Sequence, residues 1–328
     1  MISIIMPTYN KSSFLKLTLA GFTMQTEKDF EIVLVNDGST DDTEEVVEKY
    51  IDLLNIKYIK TENRGRSAAR NTALEEAIGE YLLFCDDDRI PDKNFVKSHS
   101  EFLLHHPDKI SIGMKKEVLS LNIQNLPIRA TKYNELYKRE PKCFDAIVLR
   151  NEYELIKESD IFEDIDGTLN KWNIGTAKDN QSRIYEKWGD DLKDFEFGWT
   201  LATTANIGLK REAYENIRFE EDYNGWGMED TDYAYKLYRK GAKFQYLPEA
   251  VNYHQMHVRA EDAYSQLREN VRIFAKKNPQ LEAYFFVLSF KYVFDISEGN
   301  RLFQEIQRNV GDDIRQLVEK MAAIISQY

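Results

Sequence analysis

Over the first hundred residues, short apolar runs alternate with amphipathic stretches, and no other feature of the chain constrains its fold as tightly. ISIIMP (Ile2 to Pro7) is a strand stopped by its proline, and a helix-like stretch follows from about Ser12 to Met24. EIVLVND is a second strand, ending where Asp37 and Gly38 open a turn. STDDTEEVVEKY reads as a helix with Ser39 or Thr40 at its cap and acidic groups in its first turn. IKYIK, GRSAARNTALEEAI and EYLLFC continue as strand, helix and strand. This βαβαβαβ rhythm predicts an α/β fold with a mainly parallel central sheet covered by helices.

In such sheets, ligands sit beyond the carboxyl ends of the strands. The informative side chains fall there: Thr8, Tyr9 and Asn10; Asn36 and Asp37; Asp86, Asp87 and Asp88. The first strand–helix turn has no G-x-G-x-x-G pattern and no P-loop lysine, so a nucleotide would be held by other means. A length of 328 residues with 42% hydrophobic content allows one large domain or two smaller ones. The net charge of −12 argues against nucleic acid as a partner.

The opening MISIIMPTYN lacks a basic leader, and no run approaches the roughly 18 apolar residues that span a bilayer. AYFFVLSFKYVF (Ala283 to Phe294) is either core or a surface that touches membrane or acceptor. Cys85 and Cys143 give neither a disulfide framework nor metal spacing. A cytoplasmic protein is expected, with peripheral contact at the inner membrane face and oligomeric state left open. The polar stretch 115–200 reads as an insertion that contributes to acceptor recognition. Beyond it, TTANIGLKREAYENI is a strand end and short helix, and MEDTDYAYKLYRKG is a helix closed by Gly241. Strand-like runs then surround Pro248, and the tail is helical with a loop near SEGN. The expected division is a catalytic domain over 1–260 and a helical extension over 261–328.

FCDDDR sets three aspartates directly after a strand, and alternation points Asp86 and Asp88 the same way if extended geometry persists. Such a pair repels, takes up a proton or neutralises itself with a cation. Hard oxygen ligands suit Mg²⁺ or Mn²⁺, with substrate phosphates completing the shell. Asp37 either accepts hydrogen bonds from a nucleobase or ribose, or caps a turn. Arg66 and Arg70 share a helix face at i,i+4, placed to approach a diphosphate or to anchor the acidic strand ends.

GWGMEDTDY (Gly225 to Tyr233) crowds three carboxylates behind a glycine–tryptophan–glycine turn. Acidic groups favour a helix N-terminus, which is the plain explanation. Asp230, Ala234 and Leu237 follow i, i+4, i+7, however, placing Asp230 at the mouth of a core-facing stripe. Asp232 pairs with Lys236 at i,i+4 and is expected on the outside. YHQMH is not an H-E-x-x-H zinc helix, since its spacing differs and it has no matching glutamate.

MPTYN, VNDGSTDDT, ENRGRSAARN and CDDDR, in this order, resemble a family 2 glycosyltransferase with the GT-A fold. The resemblance implies that Thr8, Tyr9 and Asp37 border uracil and ribose, with Arg66 near the phosphates. It counts Pro7, Asp86, Asp87 and Trp226 to the same donor-binding set and makes Asp88 a direct metal ligand. The chain departs from the pattern at Arg89, where many members carry another acid. ANIGLKREAY, NGWGMEDTDYAYKLYRKG and NYHQMH resemble chondroitin-polymerase-type transferases and β-1,4-galactosyltransferases. That narrower resemblance makes Asp230 the catalytic base, Glu229 an acceptor- or sugar-binding acid, and His254, with His257 next, a metal ligand.

The implied activity is an inverting transfer from a UDP-sugar to a carbohydrate or glycoconjugate acceptor, dependent on Mn²⁺ or Mg²⁺, in bacterial polysaccharide or glycoconjugate synthesis. Two rivals stay open at this stage. One is a nucleotidyltransferase or nucleotide-sugar hydrolase, which would use the same metal carboxylates. The other is a binding protein without catalysis.

Overall fold

Two apolar layers, one on each face of a single sheet, account for the run-on hydrophobicity of the first strands. The computed structural model describes residues 1–121, 130–143, 154–176, 180–258, 260–291, 294–309 and 314–326. Strands β1 (Ile2–Thr8), β2 (Phe30–Asn36), β3 (Ile56–Lys60) and β4 (Tyr81–Phe84) lie parallel in the order β3-β2-β1-β4. Helices α1 (Ser12–Thr23), α2 (Thr43–Tyr50) and α3 (Arg66–Glu76) connect them. Ile4, Met6, Ile32, Leu34 and Leu83 join the layer of α1 and α2, whereas Ile5, Val33, Val35, Leu82 and Phe84 join that of α3. A parallel sheet buried on both faces needs apolar residues at nearly every position.

The sheet continues through β5 (Arg89–Pro91), β6 (Lys109–Val118), β7 (Asn173–Thr176), β8 (Ile207–Lys210) and β9 (Lys243–Gln255). Beyond β4 the order is β8-β6-β9-β5, with β7 paired to β6. β6 and β9 are parallel, while β8, β7 and β5 run antiparallel to their neighbours. The expected helix-covered sheet is present, with its long parallel run in the first hundred residues.

The remaining helices are α4 (Phe95–His105), α5 (Ala130–Arg139), α6 (Glu158–Trp172), α7 (Asn180–Trp188) and α8 (Glu229–Arg239), followed by α9 (Ala263–Lys277), α10 (Leu281–Phe290), α11 (Ile296–Asn309) and α12 (Ile314–Ser326). Phe274 of α9 and Phe285 of α10 are buried in the same layer as Phe84 and Trp199. The core reading therefore holds for the described part of the Ala283–Phe294 run. Among the described residues, no helix is long and apolar enough to cross a membrane. In the 115–200 stretch, 122–129, 144–153 and 177–179 lie outside the described residues.

Two local expectations fail for identifiable reasons. α2 begins at Thr43, because Ser39 and Thr40 are engaged elsewhere: the Ser39 hydroxyl accepts from the Asn10 amide and the Thr40 amide donates to Asn10 Oδ1. SEGN is helical, not a loop. Asp295 Oδ1 accepts from the amides of Ser297 and Glu298 and starts α11 just ahead of it, and Gly299 packs against Phe294.

β9 runs through Pro248 by bulging. Its pairing with β6 steps from Gly113 opposite Leu247 to Met114 opposite Val251, so Pro248–Ala250 have no partner in the ladder. Proline is tolerated at such bulges, which also re-aim the strand. Fully buried Asn206 fills the gap: Nδ2 donates to Met114 O at 3.1 Å and Ala250 O at 3.0 Å, and Oδ1 accepts from His99 Nε2 at 2.8 Å. A Cβ on Gly113 would meet Asn206 Oδ1 at 2.2 Å, so the bulge requires glycine there. Burial drives His99 down to about 4, keeping it neutral in this network. Replacing Asn206 with Ala strands two carbonyls and an imidazole, and a loss of about 2–4 kcal/mol in urea unfolding is expected. An unchanged midpoint would show that the bulge holds without its bridge.

Candidate active site

The three aspartates after β4 go separate ways, because the extended backbone does not persist. A turn closes over them with the Arg89 amide donating to Asp86 O at 3.2 Å, and the chain then enters β5. Asp86 and Asp88 consequently do not form the expected side-by-side pair. Asp86 Oδ1 accepts from Arg70 Nη2 at 2.8 Å. Asp87 is buried, and that burial, with the charge of Asp88, pushes its carboxyl up to about 7. Asp88 faces a different group, made of Lys11, His254 and His257.

β5 lies against β9 with Arg89 opposite His254, which brings the YHQMH segment over this turn. His257 Nε2 lies 3.0 Å and His254 Nε2 3.8 Å from Asp88 Oδ2. One ligand atom from each of the three residues falls within 4.8 Å of the others. His257 Nδ1 faces the Val258 carbonyl at 3.1 Å, and its Nε2 is aimed inward at Asp88. Burial lowers His254 to about 3, against the pull of Asp88. Burial also opposes the charge on Asp88, but His254, the His257 hydrogen bond, Lys11 and Arg89 outweigh it and hold the carboxyl well below its usual range. One carboxylate and two imidazoles form a donor set that fits a divalent cation. Both histidines face Asp88 Oδ2.

α3 and α8 meet over the sheet end. The Arg70 guanidinium, 3% exposed, reaches Asp86 on one side and Glu229 Oε1 at 3.4 Å on the other. Arg66 Nη1 lies 3.6 Å from the same Glu229 oxygen. Glu229 Oε2 is buried without a hydrogen-bond partner among the described residues. Beside it, burial and then the charge of Glu229 raise the Asp230 carboxyl to about 6, with Arg70 and the Thr231 amide pulling the other way. Asp232 forms the expected ion pair with Lys236, at 2.9 Å. It is not outside, however: it is 1% exposed, because α9 and the residues after it cover it and Asn278 Nδ2 donates to its Oδ1.

The GWG turn depends on left-handed backbone at Gly225, Gly227 and Met228. α9 clamps it from outside. Gln266 Oε1 accepts from the Trp226 amide at 2.9 Å, and Asn270 Nδ2 donates to Asn224 O and Gly227 O. A Cβ on Gly225 would meet Gln266 Oε1 at 2.2 Å, so this close approach needs glycine. The Trp226 ring is partly exposed and stands edge-on to the exposed Tyr264 of α9, 6.1 Å away.

Pro7 and Thr8 are buried at the end of β1, and Tyr9 follows with 47% exposure. Both Asp37 oxygens accept from loop amides, Oδ1 from Arg64 and Oδ2 from Gly65, each at 2.8 Å, so this carboxylate shapes the start of α3. Lys11, Gln266 and Asn270 went unread in the sequence. Their roles arise from residues distant in the chain, and no local spacing marks them.

Residues 3–150 match the family model described as glycosyl transferase family 2. Chondroitin synthase of Escherichia coli is 28% identical over 258 residues, which is 77% of this chain and 34% of that protein. The alignment thus runs past the family model into the second half, and the chain spans about a third of that relative's length. Residues 1–349 of Staphylococcus aureus TarS in complex with UDP-GlcNAc superpose with a TM-score of 0.56 at 19% identity, covering 99% of this chain and 80% of that one. The mannosyltransferase PcManGT of Pyrobaculum calidifontis, in complex with GDP-Man and Mn²⁺, gives 0.53 at 18% identity, covering 100% and 80%. At these identities the superpositions speak to the fold.

Removing one partner from a buried ion pair leaves the others uncompensated. Arg70→Met should therefore cost about 3–5 kcal/mol of stability, read from chemical denaturation, whereas Arg66→Met, at an exposed site, should stay within about 1 kcal/mol. Equal losses would refute the bridging role.

Proposed function

We propose that this chain, a GT-A fold glycosyltransferase related to the family 2 enzymes, moves a sugar from a UDP-sugar to an acceptor hydroxyl with inversion at the anomeric carbon. The observation that carries this reading is the Arg70 bridge, which ties the strand-end acid Asp86 to the helix bearing Glu229 and Asp230. Donor-side and acceptor-side carboxylates thereby belong to one site.

Asp230 is the base in this reading. Its carboxylate removes the acceptor proton as the acceptor oxygen bonds to the anomeric carbon and the bond to the UDP oxygen breaks. A carboxyl raised to about 6 is a stronger base than an ordinary aspartate and is still ionised at neutral pH. Glu229 Oε2, buried and without a partner among the described residues, accepts a sugar hydroxyl. The Trp226 ring lies against the sugar, while Pro7, Thr8, Tyr9, Asp37, Arg66, Asp86 and Asp87 line the nucleotide side. Asp88, His254 and His257 would hold a divalent cation, which when bound offsets the charge developing on the leaving diphosphate. Two imidazoles beside one carboxylate favour Mn²⁺ over Mg²⁺, which prefers all-oxygen shells.

The acceptor is a carbohydrate or glycoconjugate of a bacterial polysaccharide pathway, reached at the inner face of the membrane from the cytoplasm. Residues 1–260 carry the catalysis in this reading, with 115–200 contributing to acceptor recognition and 261–328 forming a helical extension. A nucleotidyltransferase using a second metal cluster is less well supported: among the described residues, Asp88, His254 and His257 are the one such group.

Asp230→Asn should lower kcat about 10²–10⁴-fold while UDP affinity in the presence of Mn²⁺ stays within about twofold. Transfer at wild-type rate in that variant would eliminate Asp230 as base. The acid limb of kcat/KM should fall near pH 6, since the base is lost as pH drops through its raised pKa. Glu229→Gln removes the like charge that raises Asp230, so the limb should move to lower pH; a shift upward would contradict the assignment.

A further inference from the structure

We propose that Lys11 is a built-in placeholder for the divalent cation: in the donor-free protein its ammonium fills the position between Asp88 and His257 that the metal must take. The inference rests on the cation reading of that site and adds a competitor to it.

The backbone of Lys11 is pinned. It follows Asn10, which has left-handed backbone with φ of 51°, and its carbonyl accepts from the amides of Phe14 and Leu15 at the start of α1. From there the side chain passes over the Phe14 ring, with Nζ 4.8 Å from the centroid. It ends 2.9 Å from His257 Nε2 and 3.5 Å from Asp88 Oδ2.

The geometry explains why a cation belongs there. His257 Nε2 and Asp88 Oδ2 lie 3.0 Å apart, and Lys11 Nζ is in contact with both, so the ammonium already occupies the space in front of the two atoms a metal would use. A divalent cation bound by the same two atoms would overlap the ammonium, so the two are mutually exclusive. Entry of the metal exchanges one cation for another, and the partly exposed lysine side chain moves out. Metal alone then binds weakly, and metal accompanied by a donor diphosphate, which adds ligands of its own, prevails.

The test is a Mn²⁺ titration of the full chain without nucleotide, followed by electron paramagnetic resonance of the free ion. If the ammonium holds the site in about nine of ten molecules, Lys11→Met and Lys11→Gln should each tighten the Mn²⁺ Kd about tenfold. Asp88→Asn should abolish binding in both backgrounds. An unchanged or weaker Kd in both Lys11 variants, with binding still dependent on Asp88, overturns the placeholder and leaves the metal site standing. Binding that survives Asp88→Asn overturns the metal site itself. A circular-dichroism melt matching wild type confirms that each variant is folded.

Discussion

One buried guanidinium holds the working parts of this protein together. Arg70 lies between Asp86, at the end of a parallel strand, and Glu229, at the head of a helix more than a hundred residues downstream. Its burial opposes its charge, yet Asp86, Glu229 and Asp230 keep it firmly protonated. Burial, and then the charge of Glu229, raise the Asp230 carboxyl, while Arg70 restrains it. Structural anchoring and the tuning of the Asp230 carboxyl share this one guanidinium.

The second organising element is the bulge in β9. Beyond the displaced Pro248–Ala250, the strand pairs with β5 and carries His254 opposite Arg89, directly over the turn that bears Asp88. Asn206 and His99 brace this bulge from its buried side, and glycine at 113 leaves them room. The departure at Arg89 from a further acid fits this arrangement, since its positive charge helps keep Asp88 ionised.

The C-terminal helices do more than cover the core. Gln266 and Asn270 of α9 clamp the GWG turn, and Asn278 just beyond α9 bonds Asp232. The left-handed backbone at Gly225, Gly227 and Met228 is thus held from outside by residues that a reading of the turn alone does not reach. Trp226 and Tyr264 meet where this clamp closes.

The sequence by itself determined the order of strands and helices in the first hundred residues, the burial of the sheet on both faces, and the gathering of acids at strand ends. Those properties are local: they depend on alternation, caps and turns within a dozen residues. It also carried the pairing of Asp232 with Lys236, because i,i+4 contact follows from helix geometry alone. Only tertiary structure decided that Asp86 and Asp88 part, since a turn and a strand pairing replaced the assumed extended run. It alone made His254 and His257 joint partners of Asp88, buried Asp232 against Asn278, and brought Lys11 into the site. Each of those contacts joins segments far apart in the chain, and their distances follow from how sheet and helices pack, which no spacing of residues encodes.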